Sequence, residues 1–154
     1  MPTRKQITTA AREYLGTPFQ HQGRLKGKAC DCVGLPYMVA EELGLHSRDG
    51  KPIHKHDNAH YQAQPTDHFV HEECQRLLVE KPLSAMREGD VISMKMPTIP
   101  CHVGIVTTLY EGTSDQCLGV IHSYAPAHKV VETIIDAKLW NRIHGCFAFP
   151  GVTD

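Results

Sequence analysis

The sequence predicts an α+β fold: helices in the first half of the chain, then a largely antiparallel sheet of about five strands. Two observations predict it. Apolar residues recur at helical spacing near the N-terminus, and short β-branched or alternating runs fill the C-terminal half, separated by Gly, Pro, Ser and Asp.

The elements follow in order. Ile7, Ala10, Ala11, Tyr14 and Leu15 form one apolar stripe of a helix that Gly16 and Thr17-Pro18 end. Residues 17–29 read as a loop, with a basic patch of Arg24, Lys26 and Lys28. A second helix is expected from near Asp31 to Leu43, ahead of Gly44. Residues 46–68, rich in His, Asp, Asn, Gln and Pro, read as a long irregular crossing. Phe69 to Glu80 suits a short helix stopped by Lys81-Pro82. The strand candidates are "DVISMKM", "HVGIVTTLY", "LGVIHSY", "KVVETII" and "HGCFAF". No internal repeat or linker breaks the pattern, so the 154 residues are expected to form one domain spanning 1–154.

Composition narrows the function. A formal net charge of −1 gives no basis for capturing nucleic acid or an acidic membrane by charge. No stretch has the apolar length of a membrane span. The opening "MPTRKQITTAAREYLG" lacks the apolar core of a secretory signal, so synthesis in the cytoplasm is expected. Of the six cysteines, Cys74, Cys117 and Cys146 are expected to be reduced, packed side chains.

The stretch "GKACDCVGLPYM" carries the chemistry. A cysteine at a helix start gains thiolate character from the free N–H groups and the positive end of the dipole. Asp31 is a good N-cap, which puts Cys32 in the first turn with backbone N–H groups facing a developing oxyanion. Gly34 leaves room for a substrate backbone. Pro36 conflicts with a helix capped at Asp31, because it removes the hydrogen bond to the Cys32 carbonyl; either the helix starts later or its first turn is distorted. A nucleophilic cysteine needs a base, and the base needs an orienting partner. His102, opening "HVGIV", is the candidate base. His122 in "GVIHSY" is the candidate partner, brought to the same sheet end if residues 111–116 close a hairpin.

"DCVGL", "GDVI" and "HVGIV", in that order, resemble the NlpC/P60 cysteine peptidases. The upstream "AREYLGTPFQHQGRLKGKACDC" is similar to the phage and prophage tail-associated branch of that family. The resemblance covers residues 7 to 149. It implies a papain-like fold with Cys32 as nucleophile, His102 as base and His122, or alternatively His128, as the third residue. It further implies that Gly89-Asp90 is a structural turn. The implied reaction is hydrolysis of an amide in peptidoglycan stem peptides, commonly between D-γ-glutamyl and a diamino acid, with no cofactor or metal. Implied partners are peptidoglycan peptides and phage tail proteins, in a virion tail setting. Phe19 stands where the family usually has a tyrosine near the cysteine. Phe19, Asp31 and Arg24 are the expected substrate contacts, the arginine through a substrate carboxylate.

Three other readings stand beside this one. Cys30, Cys32, Cys101 and His102 could form a zinc site, although their spacing is a poor match to known knuckles. The histidines at 54, 56, 60, 68 and 71 read as a solvated loop or as metal ligands. A tail-assembly protein could keep the fold without the chemistry.

Overall fold

Thr3 opens the first helix with a reciprocal cap. Its hydroxyl accepts from the Gln6 N–H at 3.1 Å, and Gln6 Oε1 accepts from the Thr3 N–H at 2.8 Å. In this computed structural model, which describes residues 1–58, 61, 68–96, 100–110 and 117–154, the helix α1 spans Arg4–Arg12. It buries Ile7, Ala10 and Ala11, and Tyr14 follows them into the core from the turn beyond.

The expected loop after α1 contains a small hairpin, β1 (Arg24–Leu25) with β2 (Ala29–Cys30). Helix α2 spans Gly34–Leu43 and stops at Gly44, which takes the left-handed conformation (φ 64°) a glycine accepts readily. It starts later than Asp31 because Pro36 cannot supply the hydrogen bond to Cys32; the first bond of the helix runs from the Tyr37 N–H to the Val33 carbonyl. Helix α3 covers Phe69–Leu77 and is shorter than expected. Val79–Lys81 leave it as a strand, β3, because they pair with the end of the chain.

Five longer strands follow: β4 (Val91–Lys95), β5 (Pro100–Leu109), β6 (Cys117–Tyr124), β7 (Lys129–Ile134) and β8 (Ile143–Ala148). A short helix, α4 (Ala137–Trp140), precedes β8. With β3 they make a six-stranded antiparallel sheet in the order β3-β8-β4-β5-β6-β7. The five predicted strands are these five; β3 is the additional one. Residues 111–116, expected to close the hairpin between β5 and β6, lie outside the described residues.

Both sheet faces are covered. On one, α1, α2 and α3 pack against Val91, Val103, Ile105, Ile121 and Phe147. On the other, Ile92, Met94, Val106, Val120 and Ile143 meet Leu83, Met86 and Leu139. Strand β4 is therefore buried on both faces, which is why "VISM" reads as a continuous run rather than an alternation.

Two features bear on the site. The register beside β4 slips twice: Met94 faces His102 while Lys95 faces Pro100, and Ser93 faces Gly145 while Met94 faces Ile143. Cys101 and His144 are thus the extra residues of two bulges, positions that re-aim neighbouring side chains. Asp90, fully buried, ties the head of β4 to the helical layer. One oxygen accepts from Arg4 at 2.6 Å, and the other accepts from Lys81 Nζ and the Arg87 N–H at 2.8 Å each.

Candidate active site

Cys32 sits in the turn between β2 and α2. Asp31 shapes that turn as an N-cap would, its Oδ1 accepting from the Gly34 N–H at 2.8 Å. The aspartate is 3% exposed and is held from several sides. Arg24 Nη1 donates to Oδ1 at 2.8 Å, and the Gln22 N–H donates to Oδ2 at 2.7 Å. The Tyr61 hydroxyl also donates to Oδ2. Arg24 in turn grips Asp57 with Nε at 2.6 Å and Nη2 at 3.0 Å, and Nη2 donates to the Tyr61 hydroxyl at 2.6 Å. The guanidinium expected to meet a substrate carboxylate is thus engaged by two protein carboxylates and a tyrosine.

Gly34 has a different reason from the one expected. A Cβ there would lie 2.7 Å from the Gly23 carbonyl oxygen and 2.8 Å from Arg24 Nη1. The space beside it belongs to the arginine network, not to a substrate. Phe19 is half-buried, its N–H donating to the His128 carbonyl at 2.9 Å, in a strip of chain bridged to Cys30.

The sulfur of Cys32 faces β5. It lies 3.9 Å from the Cys101 carbonyl oxygen, and the Val103 backbone N–H is near enough to favour its thiolate, so it rests against the two residues that flank His102. The imidazoles of His102 and His122 meet with Nε2 and Nδ1 2.7 Å apart. Both rings are buried, 7% and 3% exposed. Their approach depends on Gly104, where a Cβ would come within 2.5 Å of Val120 Cγ2 and 3.1 Å of His122 Cβ. The glycine of "HVGIV" lets β6 bring His122 against β5. Of the two third-residue candidates, His122 makes this contact; His128 is exposed, at the left-handed end (φ 62°) of the turn Ala125–Ala127.

Two residues not singled out from sequence complete the cluster. Tyr124 stacks on His122 with ring centroids 5.0 Å apart and sits 5.7 Å from His102. Thr133 Oγ1 on β7 lies 3.1 Å from His122 Nε2. Both come from strand runs that read as structural, and only the strand register brings them here.

The electrostatics differ from the expectation of a lowered thiol. Burial, and then the Asp31 carboxylate, push Cys32 up, while the Val103 N–H works the other way. Burial, and then His122, push His102 down to about 3; burial pushes His122 down to about 4. These shifts favour a neutral thiol and two neutral imidazoles at rest over a preformed ion pair. The helix start does not overcome this, because the Gly34 N–H is already taken by Asp31.

The remaining cysteines and histidines are placed elsewhere. Cys30 is fully buried, its sulfur donating to the Asp31 carbonyl at 3.1 Å, and burial pushes its thiol up to about 12. All six cysteines are free thiols. Cys74 and Cys146 are buried, whereas Cys117 is only partly so. Among the described residues no three His, Cys, Asp or Glu side chains gather as a metal site. The His-rich segment is not simply a solvated loop. His56 meets Ser47 and Asp49 at 3.2 Å each, and His71 on α3 meets the buried Ser93 at 2.8 Å and packs on His144. His54 lies 4.0 Å from Glu41, and His68 precedes α3. His60 lies outside the described residues.

Comparison with known proteins gives the fold. No protein-family model matches the chain, and no curated protein matches it. Among solved structures, it is similar to the NlpC/p60 domain of the peptidoglycan hydrolase SagA, at 18% identity and a TM-score of 0.60, over 96% of this chain and 99% of that one. An NlpC/P60 family protein from Bacillus cereus superposes with a TM-score of 0.63 at 16% identity, over 96% of this chain and 40% of that one. This chain therefore spans well under half the length of that protein. An N-acetylmuramoyl-L-alanine amidase from Bacteroides uniformis gives 0.54 at 16% identity, over 94% and 96%. The α+β architecture of this chain is thus that of the NlpC/P60 domains.

Proposed function

We propose that this chain is a cysteine-dependent amide hydrolase of peptidoglycan stem peptides. The observation that carries the reading is the 2.7 Å contact between His102 Nε2 and His122 Nδ1, beside a cysteine sulfur held against the residues that flank His102. A packed core does not require a buried imidazole pair. The similarity to the SagA domain and to the Bacteroides amidase supplies the substrate class.

In this reading the thiol and its base are neutral at rest. His102, with its outer nitrogen hydrogen-bonded to His122, takes the Cys32 proton through Nδ1 as the sulfur attacks the carbonyl carbon. The Cys32 backbone N–H stabilises the oxyanion. The imidazolium of His102 then returns its proton to the leaving amine, and water hydrolyses the thioester with His102 again as base. His122 orients His102 and shares its transient charge. Asp31 and Arg24 hold the nucleophile's turn in place, with Phe19 along its flank. The bond cut is that between D-γ-glutamyl and a diamino acid, and the setting is a phage or prophage tail, on the resemblance of residues 11 to 32 to that branch.

A second reading, a tail-assembly protein with the same fold and little chemistry, draws on the absent hydroxyl at Phe19 and the raised Cys32 thiol. Defined muropeptides digested with the purified protein and analysed by mass spectrometry separate the two. New termini at the γ-glutamyl bond support hydrolysis, whereas intact muropeptides from a folded sample support assembly.

A further inference from the structure

We infer that Thr133 is a positioning residue of this site: its hydroxyl is the acceptor that holds the His102–His122 pair in the proton arrangement in which His102 acts as base. The inference rests on the hydrolase reading for its catalytic meaning but not for its geometry.

The contact between the two rings is symmetric on its face. Each neutral imidazole carries one N–H, and either ring can donate across the 2.7 Å gap. Only one arrangement leaves a lone pair on His102 Nδ1. In it, His102 Nε2–H donates to His122 Nδ1, and the proton of His122 must therefore sit on its own Nε2. That N–H belongs to a ring that is 3% exposed, where a donor without an acceptor is costly. Thr133 Oγ1, 3.1 Å away, is the acceptor.

Register explains why Thr133 is the residue that reaches. His122 pairs with Val131, and Thr133, two positions further along β7, projects on the same face as a diagonal neighbour. Glu132, between them, turns to the other face, where it meets Arg12 and the Thr107 hydroxyl. β7 is the sheet edge and Thr133 is exposed, so its hydroxyl proton can be given to water while its oxygen accepts from His122.

A threonine hydroxyl can also donate, which supports the opposite arrangement at rest. Once His102 has taken the thiol proton, that option disappears. Both His102 nitrogens then carry protons, His122 Nδ1 must accept, and its Nε2–H must donate outward. Thr133 as acceptor is thus matched to the charged state of the reaction more than to the resting state, which places its effect on kcat.

The test uses Thr133→Val, which keeps the branched shape at an exposed position, and Thr133→Ser, which restores the hydroxyl. Imidazole 15N shifts are read in protein labelled at histidine, together with the pH-rate profile of Cys32 alkylation by iodoacetamide. Neither readout needs a wall substrate. In the parent protein both His102 and His122 are expected as Nε2–H tautomers. The valine variant should show a mixture at His122 and alkylation about three- to tenfold slower at neutral pH, and the serine variant should return both. Unchanged shifts and an unchanged alkylation profile in the valine variant would overturn the inference, as would a serine variant that behaves like valine. If tautomers and alkylation respond as expected while no muropeptide is cleaved, the positioning role stands and the hydrolase reading fails.

Discussion

Acidification from pH 7 to pH 5 should destabilise this fold through the imidazole pair, and the size of the effect can be worked from the structure. An unfolded histidine titrates near 6.5. In the folded chain, burial and then the neighbouring His122 hold His102 at about 3, and burial holds His122 at about 4. Above about pH 6.5 both states keep the rings neutral, and the pair costs nothing. Below it the unfolded chain binds protons that the folded chain refuses, so stability falls with pH, until the folded rings also protonate near 4 and 3. Each ring then loses ~2 kcal/mol between pH 7 and pH 5, and the pair roughly 3–4 kcal/mol if the two act independently. Urea unfolding at the two pH values measures this, with a His102→Gln/His122→Gln double variant as reference. Other histidines, including His71 and His144, are present in both proteins and cancel in the comparison. The parent should lose ~3 kcal/mol more than the double variant on acidification. Equal losses in the two proteins would refute the reasoning, because the rings would then be as free to protonate when folded as when unfolded.

Three further outcomes follow from the packing. Gly104→Ala should cost about 1–3 kcal/mol in urea unfolding and slow Cys32 alkylation, since the added methyl forces β5 and β6 apart at His122; an unchanged protein would show that the close approach is not needed. Asp90→Asn should cost roughly 3 kcal/mol, the lower end for a broken buried pair because Arg4 and Lys81 partly reach the surface; a loss within 0.5 kcal/mol, the usual range for a surface change, would show that the turn holds without the charge. Arg24→Gln strips Asp31 of its cation, so it should lower both stability and kcat; a rise in KM at unchanged kcat and stability would instead mark Arg24 as a substrate contact.

How far the sequence discloses this structure depends on the range of the interactions concerned. The five long strands are legible because β-branched runs bounded by breakers are local signals, and the stop of α2 at Gly44 is a local one too. Val79 and Glu80 read as the end of a helix because nothing ahead of Lys81-Pro82 breaks one. What makes Val79–Lys81 a strand is pairing with Cys146, Phe147 and Ala148, far along the chain. The hairpin at Arg24–Cys30 has strands of two residues, too short to show a period. At the site, Cys32, His102 and His122 stand out by motif. Their glycines do not explain themselves until Gly34 is seen under Arg24 and Gly104 under His122. Thr133, Tyr124, Asp57 and Tyr61 are ordinary strand or loop residues in sequence. Their contacts with the site arise only from register and from the crossing segment. The raised thiol was equally hidden, because the helix-start argument counts the dipole but not the burial of Cys32 beside Asp31.

The central claim, that the sulfur of Cys32 performs acyl transfer on a wall peptide, is tested most directly by the rate of muropeptide hydrolysis in the parent protein and in Cys32→Ala at matched folded concentration. The account predicts turnover by the parent and none above background in the variant, whose unfolding curve should stay close to the parent's. Hydrolysis by the alanine variant at the parent's rate would contradict it, since the bond would then be cut without the thiol.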